Sequence, residues 1–234
     1  MNTNTRPSQH TAPLTRYRER KKQLANLPKP KLRGWQHAIM APAAIAVGIV
    51  QICLADGAGQ KVACAIFMAC AVILFGHSAL YHLGNWSPRV HRVLRRMDHS
   101  NIFLLIAGTY TPLTIGLMSP AHARLCLTIV WAGAILGILI SHFWPSAPRW
   151  VYVPLYIALG WVAVWFFPEM VRNGSTATIW LILLGGIAYT IGAMAYAFRW
   201  PNPCPRYWGF HEFFHLGTVI GYTLHTIAVF FVIL

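Results

Sequence analysis

Acidic residues are scarce in this chain, five against 19 Lys and Arg, and charged residues of either sign fill only 10% of its 234 positions. A soluble globular domain carries about 25% charged residues, so a water-exposed surface of ordinary composition is excluded. Alternation of apolar and polar positions is also missing, which argues against the roughly ten-residue strands of a membrane barrel. No C-x-x-C pair occurs among Cys53, Cys64, Cys70, Cys126 and Cys204. Neither a disulfide framework nor a cysteine zinc site is therefore indicated, and the thiols read as small buried hydrophobes. The start of the chain lacks a short apolar segment ahead of a small-residue cleavage site, so a cleaved signal peptide is not expected. No basic element is interleaved with aromatics on a soluble fold, so the net charge of +14 is not read as nucleic-acid binding.

What is present is apolar sequence in long blocks. Hydrophobic residues make up 56% of the chain, mean hydropathy is +0.50, and apolar runs lie near 35–55, 61–83, 100–118, 124–144, 151–168, 178–198 and 211–234. Each approaches the ~20 residues that a helix needs to cross a hydrocarbon core. The expectation is an all-α integral membrane bundle of seven transmembrane helices occupying 35–234. Residues 1–34 hold nine Lys and Arg and few large apolar side chains, too few to bury a core, and read as a disordered basic tail. The Pro-rich stretch WPNPCPRYWG (200–209) is expected to be extended and stiff, setting how the seventh span enters the bilayer.

Cytoplasmic loops of membrane proteins are enriched in Lys and Arg. The tail, the loop after span two (Arg89, Arg92, Arg95, Arg96), Arg149 after span four, and Arg199 and Arg206 after span six place 16 of the 19 basic residues on one side, leaving Lys61, Arg124 and Arg172 on the other. The N-terminus is then cytoplasmic and the C-terminus outside. The positive charge serves topology and attraction to anionic lipid, and membrane lipids are the expected partners.

An ionisable side chain within a bilayer costs a few kcal/mol and tends to face an interior site. Of the five acids, Glu19 lies in the tail and Asp56 and Glu169 in outer loops; Asp98 and Glu212 fall at the cytoplasmic mouths of spans three and seven. His82 ends span two, and His211 and His215 begin span seven within HEFFH. These residues share one layer. Residues four apart share a helix face, so His211 and His215 can reach one ion; Ser78 and His82 have the same spacing. Three imidazoles with an open fourth position is the pattern of a catalytic zinc, and a nearby carboxylate can hold its water. His37, His77, His99, His142 and His225 read as packing or hydrogen-bonding residues. His225 lies ten residues past His215, about 15 Å along a helix, beyond reach of the same ion. Tyr81, Tyr207 and the tryptophans read as interfacial anchors.

The stretches SALYH (78–82), MDHSNIFLLIAGTYTP (97–112) and HEFFHLGTVIGYTLH (211–225), in that order, resemble the hemolysin III family, the bacterial branch of the progestin and adipoQ receptors within the superfamily that includes alkaline ceramidases. The resemblance covers the chain after the tail. It implies seven helices, a bacterial inner-membrane location, and a Zn2+ held by His82, His211 and His215. It also implies that Asp98 reaches the zinc through a water and that Ser78 lies beside the site. The receptor branch usually carries a Glu shortly before the Ser. Here VILFG and His77 precede Ser78, so receptor-like ligand recognition is not carried over.

HEFFH also matches the H-E-x-x-H of zinc proteases, in which the Glu is the general base, but a third His from span two and the ordered companions favour the other family. Glu212 lies about 100° around the helix from His211 and could stand behind the ligands. Pro112 within GTYTP should bend span three, with Thr109 and Thr111 able to meet freed carbonyls. Two functions remain. One is a zinc-dependent hydrolase of acyl-amide or acyl-ester lipids, with Asp98 and Ser78 as catalytic residues. The other is a non-enzymatic pore or membrane-homeostasis protein, compatible with a homo-oligomer, in which zinc ties spans two, three and seven together.

Overall fold

In a hydrocarbon core no water can satisfy a backbone N–H or C=O, so apolar runs of this length close their hydrogen bonds internally as helices. A computed structural model describes residues 30–144 and 146–234; the tail expected over 1–34 thus lies outside the described residues up to position 29. Among the described residues there are seven spans long and apolar enough to cross a membrane. They comprise α1 (Trp35–Leu54), α2 (Gly57–Leu83), α3 (Pro88–Leu117), α4 (Pro120–Phe143), a composite fifth span, α7 (Thr176–Phe198) and α8 (Phe210–Ile233). The fifth span is α5 (Arg149–Gly160), a 3-10 turn at Val162–Phe166 and α6 (Phe167–Asn173).

Helices adjacent in sequence pack side by side, and α8 also reaches α1 and α3. In α3, 67% of the apolar stretch is buried, against 44% in α2 and in α8 and 22% in α1, so α3 is the most interior span and α1 the most outward-facing. The approach of α7 to α8 is close because both present glycine: a Cβ on Gly217 would lie 2.8 Å from the Ala188 carbonyl oxygen and 2.8 Å from the Gly192 Cα. Small residues at such crossings let membrane helices gain van der Waals contact that lipid does not offer. The crossing sits half a turn beyond His215 and holds the seventh span in place.

Four expectations need correction. The third span starts at Pro88 and not near 100, so Arg89, Arg92, Arg95 and Arg96 belong to helical turns instead of a loop. Ser87 and Pro88 supply the start, since proline suits the first helical position. The fifth span is interrupted around Trp161, whose N–H bonds the Ile157 carbonyl before the 3-10 turn. The 200–209 stretch is folded back and not extended: Cys204 pairs with Trp208 as an antiparallel bridge, and Asn202 caps both sides, donating to Arg199 O at 2.8 Å and accepting from Phe210 N at 3.1 Å. Finally, the threonines beside Pro112 do not meet the carbonyl that Pro112 frees, although α3 continues through it as an α-helix. Thr109 and Thr111 bond the carbonyls of Leu105 (2.7 Å) and Ala107 (2.9 Å), not that of Gly108, the one that lacks its N–H donor.

The two ends of the bundle are chemically distinct. One gathers Lys31, whose N–H bonds the Arg206 carbonyl at 3.0 Å, and Arg149, whose guanidinium lies 4.2 Å from the Tyr196 ring centroid. The other carries Glu169, which accepts from Ser119 N at 2.8 Å and lies 2.6 Å from His122.

Candidate metal centre

At the basic end, α2 finishes on His82 and Leu83 while α8 begins with HEFFH, and the antiparallel pairing of spans brings the two ends to the same depth. The Nε2 atoms of His82 and His211 are 3.2 Å apart, and the ring centroids of His211 and His215 are 4.6 Å apart. One ring nitrogen from each of His82, His211 and His215 falls within 4.8 Å of the other two. With Zn–N bonds of about 2.0–2.1 Å, two ligands of a tetrahedral zinc are separated by about 3.3 Å, so the 3.2 Å pair already has ligand spacing. His82 and His215 are 6% and 1% exposed, His211 half-buried. His215 Nδ1 is buried without a hydrogen-bond partner, a deficit of the kind that costs roughly 1–3 kcal/mol unless a ligand or water relieves it. The donor set, three imidazoles with no thiolate among them, suits a divalent borderline metal.

Asp98 comes from the third turn of α3, with Oδ2 3.6 Å from His82 Nε2. Ser78, one turn before His82 on α2, is buried beside the Asp98 carboxylate. All five sequence-selected residues thus meet in one place, and the carboxylate stands close to the imidazoles without belonging to the group of metal-binding donors.

Two features go beyond what the sequence implied. His37, expected to be a packing residue, stacks on His215 with ring centroids 3.9 Å apart and planes 14° from parallel, and meets Phe75 edge-on at 5.1 Å. Both its nitrogens are buried without partners. Its place near the start of span one puts it in the histidine layer, and that is the signal the sequence carries. Glu212 is fully buried, but its carboxylate does not join the triad's group of donors. Oε2 accepts from Gly209 N at 2.8 Å, closing the first turn of α8, and Oε1 pairs with Arg33. Both oxygens are committed to structure, which removes the geometry of a protease general base. Beside this pair, Gly34 adopts φ +90° and presses on His82, where a Cβ would come within 2.7 Å of the His82 Cβ. Other histidines hydrogen-bond to backbone as expected: His77 lies 2.9 Å from Leu94 O, His142 3.0 Å from Ile138 O and His225 3.0 Å from Ile182 O.

Inward from the triad, two adjoining apolar cavities of about 80 and 260 Å3 run between α3, the broken fifth span, α7 and α8. Thr109, Tyr110, Gly160, Trp161, Gly186 and His225 border both. Phe214 and Thr218, flanking His215 on α8, bring the smaller one to within a helical turn of the histidines.

Comparison with known proteins agrees with this architecture. The chain is 33% identical to a protein described as Hemolysin-3 from Bacillus cereus over 158 residues, covering 67% of this chain and 71% of that one. It is 31% identical to a Hemolysin-3 homolog of Bacillus subtilis over 134 residues, 57% of this chain and 62% of the relative. A more distant likeness, 26% over 184 residues, joins it to a progestin and adipoQ receptor-like protein of Caenorhabditis elegans, with the match covering 71% of this chain and 42% of that one. The model of the family described as Haemolysin-III related matches residues 25–226, nearly the whole of the seven-span bundle, and the chain therefore belongs to that family.

Proposed function

We propose that this multi-pass membrane protein is a zinc-dependent hydrolase of acyl-amide or acyl-ester lipids, set in a bacterial inner membrane with its N-terminus cytoplasmic, its C-terminus outside and its metal site toward the cytoplasm. The observation that carries the reading is the convergence of three imidazoles on one point with a carboxylate beside them but outside the ligand set. A structural zinc is normally closed by four protein ligands; among the described residues three are on offer. His82, His211 and His215 would hold the metal, which supplies a Lewis acid and a water of lowered pKa.

The chain's own groups do the rest. Asp98, 3.6 Å from His82, accepts the proton of the attacking water and returns it to the departing amine or alcohol, so that one water is consumed and a fatty acid and an amine or alcohol are released. Ser78, beside that carboxylate, holds its orientation. The cavities between α3, the fifth span and α8 admit an acyl chain and exclude water from it. A non-enzymatic reading draws on the name of the Bacillus cereus relative, Hemolysin-3: a homo-oligomeric pore stapled by zinc.

Asp98→Asn separates the two. It keeps the shape and most hydrogen bonding of the side chain but cannot take a proton. Zinc content should stay at wild type while fatty-acid release from ceramides or phospholipids in bilayers falls by roughly the 10²- to 10⁴-fold typical of general-base loss. Zinc-replete wild type that releases no more fatty acid than the Asn variant sinks the hydrolase. Dye release from liposomes that persists in the Asn variant and follows oligomer formation supports the pore.

A further inference from the structure

The third span opens against local rules. Arg89, Arg92, Arg95 and Arg96 lie in its first three turns, with no acid in the first turn, although the positive end of the helix dipole disfavours cations there. Arg92 and Arg96 are also four apart, a spacing at which like charges destabilise a helix. Among the described residues, none of Arg92, Arg95 and Arg96 pairs with a carboxylate. Of the four described acids, Glu212 is taken by Arg33, Asp98 faces His82, Glu169 faces His122 at the opposite end, and Asp56 precedes α2 at that same opposite end.

Topology alone asks for positive charge on this side, not for its arrangement. Arg92, Arg95, Arg96 and His99 recur at i, i+3, i+4 and i+7, one face of α3, and together they line a cavity of about 340 Å3 closed on its far side by Ser141 at the end of α4 and Tyr152 on α5. Tyr152 OH donates to Trp144 O at 2.8 Å, Ser141 Oγ to Gly137 O at 2.9 Å and Arg92 Nε to Pro88 O at 3.3 Å, so the wall is held in place, and the other guanidinium N–H groups face the cavity together with Ser146 and His99. Among the described residues no carboxylate lines the cavity. Arg149, another cation at this end, is engaged with the Tyr196 ring and carbonyl and the Phe210 ring.

We infer that this cavity is a binding site for a phosphoryl group bearing a net negative charge, held by Arg92, Arg95 and Arg96, at the headgroup level of the leaflet facing the metal centre. Planar guanidinium groups grip phosphate oxygens in pairs, and basic pockets between membrane helices are recognised seats for anionic headgroups. A convergent arginine face that no described carboxylate neutralises, with a built wall, meets both requirements. The site is separate from the histidine cluster and does not depend on a metal there.

The test uses full-length protein in detergent, titrated with dioctanoyl phosphatidylglycerol, dioctanoyl phosphatidylcholine or inorganic phosphate and read by native mass spectrometry. Phosphatidylglycerol should bind saturably and in preference to phosphatidylcholine. Arg95→Gln and Arg96→Gln should each weaken it by about five-fold, the contribution of one basic residue near an anionic group. Arg206→Gln, which removes an equal charge from an exposed position at the same end, should leave it unchanged. Inorganic phosphate that binds with the same arginine dependence also upholds the site and identifies free phosphate as its ligand. Absence of saturable binding by either anion, or an equal loss in Arg206→Gln, overturns it.

Discussion

Arg33→Ala puts the clearest number on the entrance of the seventh span. Glu212 is fully buried, its Oε2 accepts from Gly209 N at 2.8 Å and its Oε1 is held by Arg33, whose side chain is 17% exposed. Removing Arg33 leaves a buried carboxylate with one backbone partner, and breaking a buried pair from one side costs about 3–5 kcal/mol. For a chain of this size each kcal/mol shifts the melting temperature by roughly 2–4 °C, so the variant should melt about 6–20 °C below wild type in nanodiscs, followed by intrinsic tryptophan fluorescence. Glu212→Gln keeps an oxygen for Gly209 N and strands no buried charge, so it should lose less. The double variant should lose less than the sum of the singles, since no buried carboxylate is left unpaired. A protease general base makes the opposite forecast, a Glu212→Gln protein of wild-type stability without activity. Arg33→Ala melting within about 2 °C of wild type, less than the shift of a single kcal/mol, would refute the buried pair as the anchor of α8.

Purified protein should carry about one zinc per chain, and His211→Ala should lose most of it while His225→Ala, 3.0 Å from a backbone carbonyl in another part of the bundle, keeps it; elemental analysis decides, and a zinc-free wild type prepared without chelator removes the site. A reporter fused after Leu234 should be active only outside the cell and one inserted between Leu83 and Pro88 only inside; the reverse pattern inverts the proposed orientation. Gly217→Leu places a side chain where a Cβ would already meet Ala188 O and Gly192 Cα at 2.8 Å, so α7 and α8 must separate. Yield of folded protein by size-exclusion chromatography should drop sharply, whereas Gly59→Ala, with open space around its Cβ position, should fold as wild type.

The seven spans and the shared depth of His82, Asp98, His211 and His215 were legible because bilayer physics acts on sequence directly. Apolar length sets the crossings, and a polar residue in an apolar run is costly enough to mark an interior site. The helical period did the same for Ser78 with His82 and for His211 with His215. Boundaries were less legible where two signals compete. The third span's apolar run begins near 100, but its hydrogen-bonding helix begins at Pro88 because arginine stems continue a helix well after the hydrocarbon ends.

By itself, then, the sequence determined the class of fold, the number of crossings and the layer that holds the histidine cluster, since each follows from the free energy of moving one segment into lipid. Which partners meet within that layer was decided only by the tertiary structure. His37 against His215, Arg33 against Glu212 and the three arginines around one cavity depend on how helices rotate and cross, and those rotations follow from packing contacts such as Gly192 with Gly217. Such contacts link residues far apart in the chain, and no local periodicity encodes them.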